Sequence, residues 1–150
     1  TKKNQTLDQP KEGDVVIYRT GSHTDIKNRV SNSKCTLITG AREVGKSTLV
    51  KHEFSEYHRA NFDDRLTRLQ AKEEPGLFFL NNPCPLFIDE IQKESSILEE
   101  IKQIVDETDE RGMFLLSGSQ KPELMKGMSE SLAGRVSITE LAGLLFFLCI

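Results

Sequence analysis

Five β-prone residues, Cys35-Thr36-Leu37-Ile38-Thr39, stop at a glycine. Beyond the segment Gly40-Ala41-Arg42-Glu43-Val44-Gly45-Lys46-Ser47, Leu49, Val50 and Phe54 recur at the spacing of one helix face. This strand, loop, helix unit constrains the chain more than any other feature. The same rhythm recurs downstream. A short strand is expected through Ala60, Asn61 and Phe62, then a helix carrying Leu66, Leu69 and Gln70 that closes before Pro75 and Gly76. Leu86-Phe87-Ile88 reads as a strand and Ile97, Ile101, Ile104 and Val105 as one helix face. Residues 113–116 give another strand, Pro122, Leu124 and Met125 a short helix, residues 128–133 a second one, and 136–141 a last strand. Ahead of them all, Ile26 and Val30 suit a helix started by Thr24 or Asp25. Strands alternating with helices imply an α/β fold: a mostly parallel sheet, right-handed crossovers and both sheet faces covered.

The 150 residues are enough for one domain, and 37% hydrophobic against 29% charged residues of both signs fits a soluble globular chain. We divide it into a flexible, polar lead-in over 1–14, a core over 15–143 and an apolar tail over 144–150. Ten apolar residues at 141–150 are too few to span a bilayer as a helix, and no secretory h-region is seen near the N-terminus. The net charge of −3 gives no general attraction for nucleic acid. Cys35, Cys84 and Cys149 have neither zinc-site nor redox-pair spacing, and His23, His52 and His58 no metal-ligand arrangement, so a reducing, cytoplasmic setting is expected.

The segment from Gly40 to Ser47 matches G-x-x-x-x-G-K-[ST] between a strand and a helix, the context in which the pattern means a phosphate-binding loop. Successive backbone N–H groups from Gly40 through Thr48, with the helix N-terminus, can converge on phosphate oxygens. Gly45 removes a side chain where the loop wraps the β-phosphate. Lys46 brings charge to the β- and γ-phosphates, and the Ser47 hydroxyl can ligate magnesium. The expected ligand is a nucleoside triphosphate with Mg²⁺, ATP foremost.

Asp89 and Glu90 follow an apolar strand, at the sheet edge where α/β ligands bind. Asp89 is the candidate magnesium carboxylate and Glu90 the candidate base for an attacking water. After the strand at 113–116, Ser117, Ser119 and Gln120 compete to sense the γ-phosphate, against plain turn chemistry with Gly118. Arg135, in Ser131-Leu132-Ala133-Gly134-Arg135, reads either as a charge pointed at a neighbouring subunit's phosphates or as a surface ion-pair partner. Asp63 and Asp64 read as a helix cap or as substrate-binding acids, with capping preferred.

The phrases from Thr39 to Ser47, Phe87-Ile88-Asp89-Glu90-Ile91-Gln92, Leu116-Ser117-Gly118-Ser119-Gln120 and Ser129-Glu130-Ser131-Leu132-Ala133-Gly134-Arg135, in that order, resemble a prokaryotic AAA-type ATPase family. Its members join an N-terminal P-loop domain to a C-terminal domain known as DUF4143. The resemblance implies ATP binding and hydrolysis on a P-loop NTPase three-layer sandwich of strand order 5-1-4-3-2. It implies the Walker A role for Gly40, Gly45, Lys46 and Ser47, and the Walker B role for Asp89 and Glu90. It also favours a polar sensor among Ser117, Ser119 and Gln120, and supports Arg135 acting in trans within a homo-oligomer. The run Leu-Leu-Phe-Phe-Leu-Cys-Ile at 144–150 departs from the family's polar continuation and is expected to be a truncated or aberrant end.

Three functions follow from these readings: a Mg-dependent ATPase core driving an unidentified action of a further domain, a nucleotide-dependent switch with little turnover, and a P-loop kinase in which Asp63 or Asp64 engages an acceptor. The Asp89-Glu90 pair favours the first.

Overall fold

The computed structural model describes residues 17–20, 23–40 and 46–141. In chain order these form β1 (Ile17–Thr20), α1 (His23–Asn32), β2 (Cys35–Thr39), α2 (Lys46–Glu53), β3 (His58–Asn61), α3 (Arg65–Glu73) and α4 (Pro75–Asn81). There follow β4 (Leu86–Asp89), a 3-10 turn (Ile91–Glu94), α5 (Ile97–Asp106), β5 (Phe114–Ser117), α6 (Pro122–Leu132) and β6 (Val136–Leu141).

The six strands lie in the order β1-β6-β2-β5-β4-β3, and every pairing is parallel. Counted from β2, the five strands after β1 read 5-1-4-3-2, the order the family resemblance implies. All five residues of β2 are buried, as a strand covered on both faces requires. On one face Cys35, Leu37, Phe114 and Leu116 pack with Phe62, Phe78 and the apolar sides of α5 and α6. On the other, Ile38, Phe87 and Leu115 meet Ile26 and Val30 of α1 and Leu49 and Val50 of α2. The result is a three-layer α/β sandwich.

Five local features differ from the sequence reading. β1 pairs with β6 alone, so it is an edge strand that needs no continuous apolar run. The helix α3 closes before Pro75 as expected, but Pro75 also starts an unexpected helix, α4: it occupies the first turn, where its missing N–H costs no hydrogen bond, and Glu74 is the C-cap of α3 and the N-cap of α4. The two short helices expected over 122–133 are one, α6, passing through Gly127. A Cβ there would meet Leu98 Cδ1 of α5 at 3.4 Å, an ordinary van der Waals contact. Finally, Leu66 and Leu69 face outward, 65% and 48% exposed, while Ala71 anchors α3. α1 begins at His23, one residue ahead of the expected start.

Candidate active site

Because β4, β5 and β2 are neighbours and parallel, the residues that follow them emerge side by side at one edge of the sheet. Gly40 follows β2, Glu90 follows β4 and Gly118 follows β5. Gly40 has φ 144°, backbone that favours glycine as the chain leaves the strand. Residues 41–45 (Ala41, Arg42, Glu43, Val44 and Gly45) and the Ser47 side chain lie outside the described residues. Lys46 opens α2, and its Nζ donates to the Gly40 carbonyl at 2.7 Å and to the Gly118 carbonyl at 3.4 Å. The ammonium thus sits between the ends of β2 and β5. Thr48 is exposed on the first turn of α2.

The two carboxylates are held differently. Asp89, half-buried on the last position of β4, accepts a hydrogen bond from the Ser117 hydroxyl on the adjacent strand. The same Ser117 Oγ accepts from the Glu90 backbone N–H at 3.3 Å. Glu90 is left-handed, φ 59° and ψ 51°, alone among the described non-glycine residues in having positive φ. For a residue with a Cβ that conformation costs about 1–3 kcal/mol and persists only where surrounding contacts impose it. Its side chain is held too: Gln92 Nε2 donates to Glu90 Oε1 at 2.7 Å.

The β5–α6 segment is equally committed. Gly118 N–H donates to the Ile38 carbonyl at 3.1 Å, closing the segment onto β2. A Cβ on Gly118 would lie 2.9 Å from each of Gln92 Oε1, Ile91 Cγ2 and Leu124 Cδ2. Glycine is therefore needed there for close approach, with no positive φ involved. Gln120 Nε2 donates to Thr39 Oγ1 at 2.9 Å, and Ser119 N–H to Gln92 Oε1 at 3.4 Å. The Ser119 hydroxyl is buried without a hydrogen-bond partner.

Arg135 lies at the opposite edge. Gly134, φ 80°, ends α6 with the left-handed geometry usual after a helix, and Arg135 directly precedes β6. Since Val136 pairs with Cys35, at the start of β2, and Gly40 lies past that strand's other end, Arg135 is on the far side of the sheet from the loop. Its Nε donates to Asp106 Oδ1 at 2.6 Å and its Nη1 to the Ala133 carbonyl at 3.0 Å. This hydrogen bond holds the Asp106 carboxyl below the usual carboxylate range and raises the guanidinium above its own. Asp64 caps α3, accepting from Thr67 N–H at 3.1 Å, whereas Asp63 pairs with Lys93 at 2.6 Å. Both acids thus serve local structure.

A strand and helix with the helix's first lysine at the sheet edge, with an Asp-Glu pair at the same edge two strands away, is the arrangement of a P-loop ATPase, and the sequence matches the AAA domain family over residues 32–147. The chain belongs to the AAA domain family. This makes it a P-loop, ATPase-like nucleotide-binding module. The AAA match continues into the apolar residues beyond β6. Uncharacterized proteins of Mycobacterium bovis and Mycobacterium tuberculosis are each 31% identical to it over 134 residues, 87% of this chain. The chain spans about a third of their length, the matched part being 30% of each.

Sequence reasoning gave no role to Gln92 or Thr39. Gln92 stood in view two residues beyond Glu90, and only the 3-10 turn between them brings its amide onto that carboxylate. Burial raises the Cys35 thiol far above its ordinary range and pushes Cys84 up to about 11, so neither is poised as a nucleophile. Among the described residues no helix is long and apolar enough to cross a membrane, and no cluster of three or more His, Cys, Asp or Glu could hold a metal by itself.

Proposed function

We propose that this AAA domain binds ATP with Mg²⁺ and hydrolyses it to ADP and phosphate. The convergence of Lys46, Asp89 and Glu90 on one sheet edge carries the reading. Lys46 and the amides of residues 40–48 hold the phosphates; Lys46, already against the Gly40 carbonyl, needs only to turn toward them. Magnesium suits the donors present, since at nucleotide sites it takes one or two hard protein oxygens and fills the rest of its shell with phosphate and water. Ser47 and Asp89 would hold it, and when bound it neutralises charge on the β- and γ-phosphate oxygens. Ser117 orients Asp89 for that task.

Glu90 accepts a proton from the attacking water as its oxygen bonds to the γ-phosphorus. The bond from that phosphorus to the β–γ bridging oxygen breaks, and ADP leaves with the electron pair. With Ser117 committed to Asp89 and Gln120 to Thr39, the unspent hydroxyl of Ser119 makes it the favoured γ-phosphate sensor. Arg135, across the sheet from its own loop, would serve a neighbouring copy's nucleotide. A cytoplasmic setting, and coupling to a further domain of the DUF4143 kind, belong to the same proposal.

The purified chain supplied with Mg-ATP should release phosphate, and Glu90→Gln should lower that rate about 10²–10⁴-fold while nucleotide still binds. An unchanged rate in a variant that binds ATP would remove Glu90 from the role. One observation favours a slow switch as the second reading: the Glu90 carboxylate is already engaged by Gln92. Tight ATP binding with no phosphate released at any protein concentration would select it.

A further inference from the structure

Gln92 touches neither the loop nor the magnesium carboxylate among its described contacts, yet it joins two parts of the site. Its amide nitrogen donates to Glu90 Oε1 at 2.7 Å, and its amide oxygen receives the Ser119 N–H at 3.4 Å. The contact with the β5–α6 segment is close-packed, since a Cβ on Gly118 would fall 2.9 Å from that same oxygen. Gly118 in turn offers its carbonyl to Lys46 Nζ at 3.4 Å. A chain of contacts therefore runs from the lysine through Gly118-Ser119 and Gln92 to Glu90.

We infer that Gln92 is a positioning residue through which the Gly118-Ser119 segment sets the orientation of the Glu90 side chain. This rests on the hydrolytic reading of Glu90. The backbone of Glu90 is fixed in an uncommon conformation, with its N–H on Ser117. Its side chain retains rotatable bonds, and Gln92 supplies the side-chain contact that restrains them. Lys46 is the link to nucleotide. When phosphates draw its ammonium away from the Gly118 carbonyl, the segment loses one of the contacts that hold it, and Gln92 carries the resulting change to Glu90. Amide chemistry is required at both ends: one donor toward a carboxylate, one acceptor toward a backbone N–H. A glutamate at 92 keeps the size but turns the donor into a like charge.

The test uses the whole chain and its Gln92→Ala, Gln92→Glu and Glu90→Gln variants, with Mg-ATP as the probe. Gln92→Ala should lower kcat about 10–100-fold, the loss expected from a misplaced base, while KM for ATP stays within about twofold. Gln92→Glu should lose at least as much, and joining Gln92→Ala to Glu90→Gln should cost little beyond Glu90→Gln alone, because both act through one carboxylate. Wild-type kcat in either Gln92 variant, or losses that multiply in the double variant, would overturn the proposal. Should the wild-type chain bind ATP without hydrolysing it, the hydrolytic reading fails by itself, and hydrogen exchange at the Ser119 amide then decides. Exchange on the order of tenfold faster in Gln92→Ala sustains the link, and unchanged exchange refutes it.

Discussion

Asp64 shows how much one side chain contributes when its geometry is right. Thr67 donates to its carboxylate from both hydroxyl and backbone, at 2.5 and 3.1 Å, which holds the carboxyl below its usual range. A depressed carboxylate pKa means the unfolded chain binds the proton more readily. The cap's stabilisation is thus complete above the ordinary value of about 3.9 and is lost as pH falls through the folded value. Asp64→Ala should lower Tm near neutral pH, and its gap from wild type should narrow progressively in thermal melts run at pH values falling below about 4. This capping role was legible in the sequence, because Asp before a helical run has few other uses. The left-handed backbone of Glu90 was not, since nothing in Asp-Glu-Ile-Gln distinguishes a left-handed glutamate from an extended one. The same holds for the allocation of Ser117 to Asp89 and Gln120 to Thr39: composition offered three polar candidates, and only the strand register could sort them.

Among the elements, the β5–α6 segment and α5 are the most exacting. Gly118→Ala would drive a methyl group into Gln92, Ile91 and Leu124, so it should destabilise the fold by about 1–3 kcal/mol in denaturant titration, with Gln92 displaced as a consequence. In α5, Ile101 is wholly buried between Ile97 and Val105 on one helix face, and Ile101→Ala should cost about 2–5 kcal/mol by the same measurement. Strongly amphipathic or wholly apolar elements were the legible ones: β2, β4, β5 and α5 all stand where their periodicity puts them. Less was legible at helix boundaries: α3 closes before Pro75 as expected, but the start of α4 at that proline was not anticipated, and the two short helices expected over 122–133 are one, α6.

For the whole molecule, strand order is the consequential fact. It places Gly40, Lys46, Asp89, Glu90 and Ser119 along one edge and Arg135 along the other. An arginine so placed can reach a nucleotide only in a second copy, and its exposed pairing with Asp106 is of the kind that exchanges at little cost. Arg135→Ala should therefore bind ATP normally but turn over more slowly, by about 10³-fold or more if the arginine stabilises the transition state. Mixing it with Glu90→Gln chains should restore part of the hydrolysis. No recovery on mixing would leave Arg135 with the Asp106 ion pair as its role. Parallel pairing followed from the alternation of strands and helices and the order of five strands was implied by the family resemblance, whereas the sixth strand, β1, left too short and mixed a pattern to be anticipated. The central claim remains nucleotide binding at the loop after β2, and calorimetric titration of the chain with Mg-ATP tests it most directly. Wild type should bind at one site per chain and Lys46→Ala should bind about 10–100-fold more weakly, the cost of a lost charge-assisted contact; equal affinity in the two proteins would contradict the account.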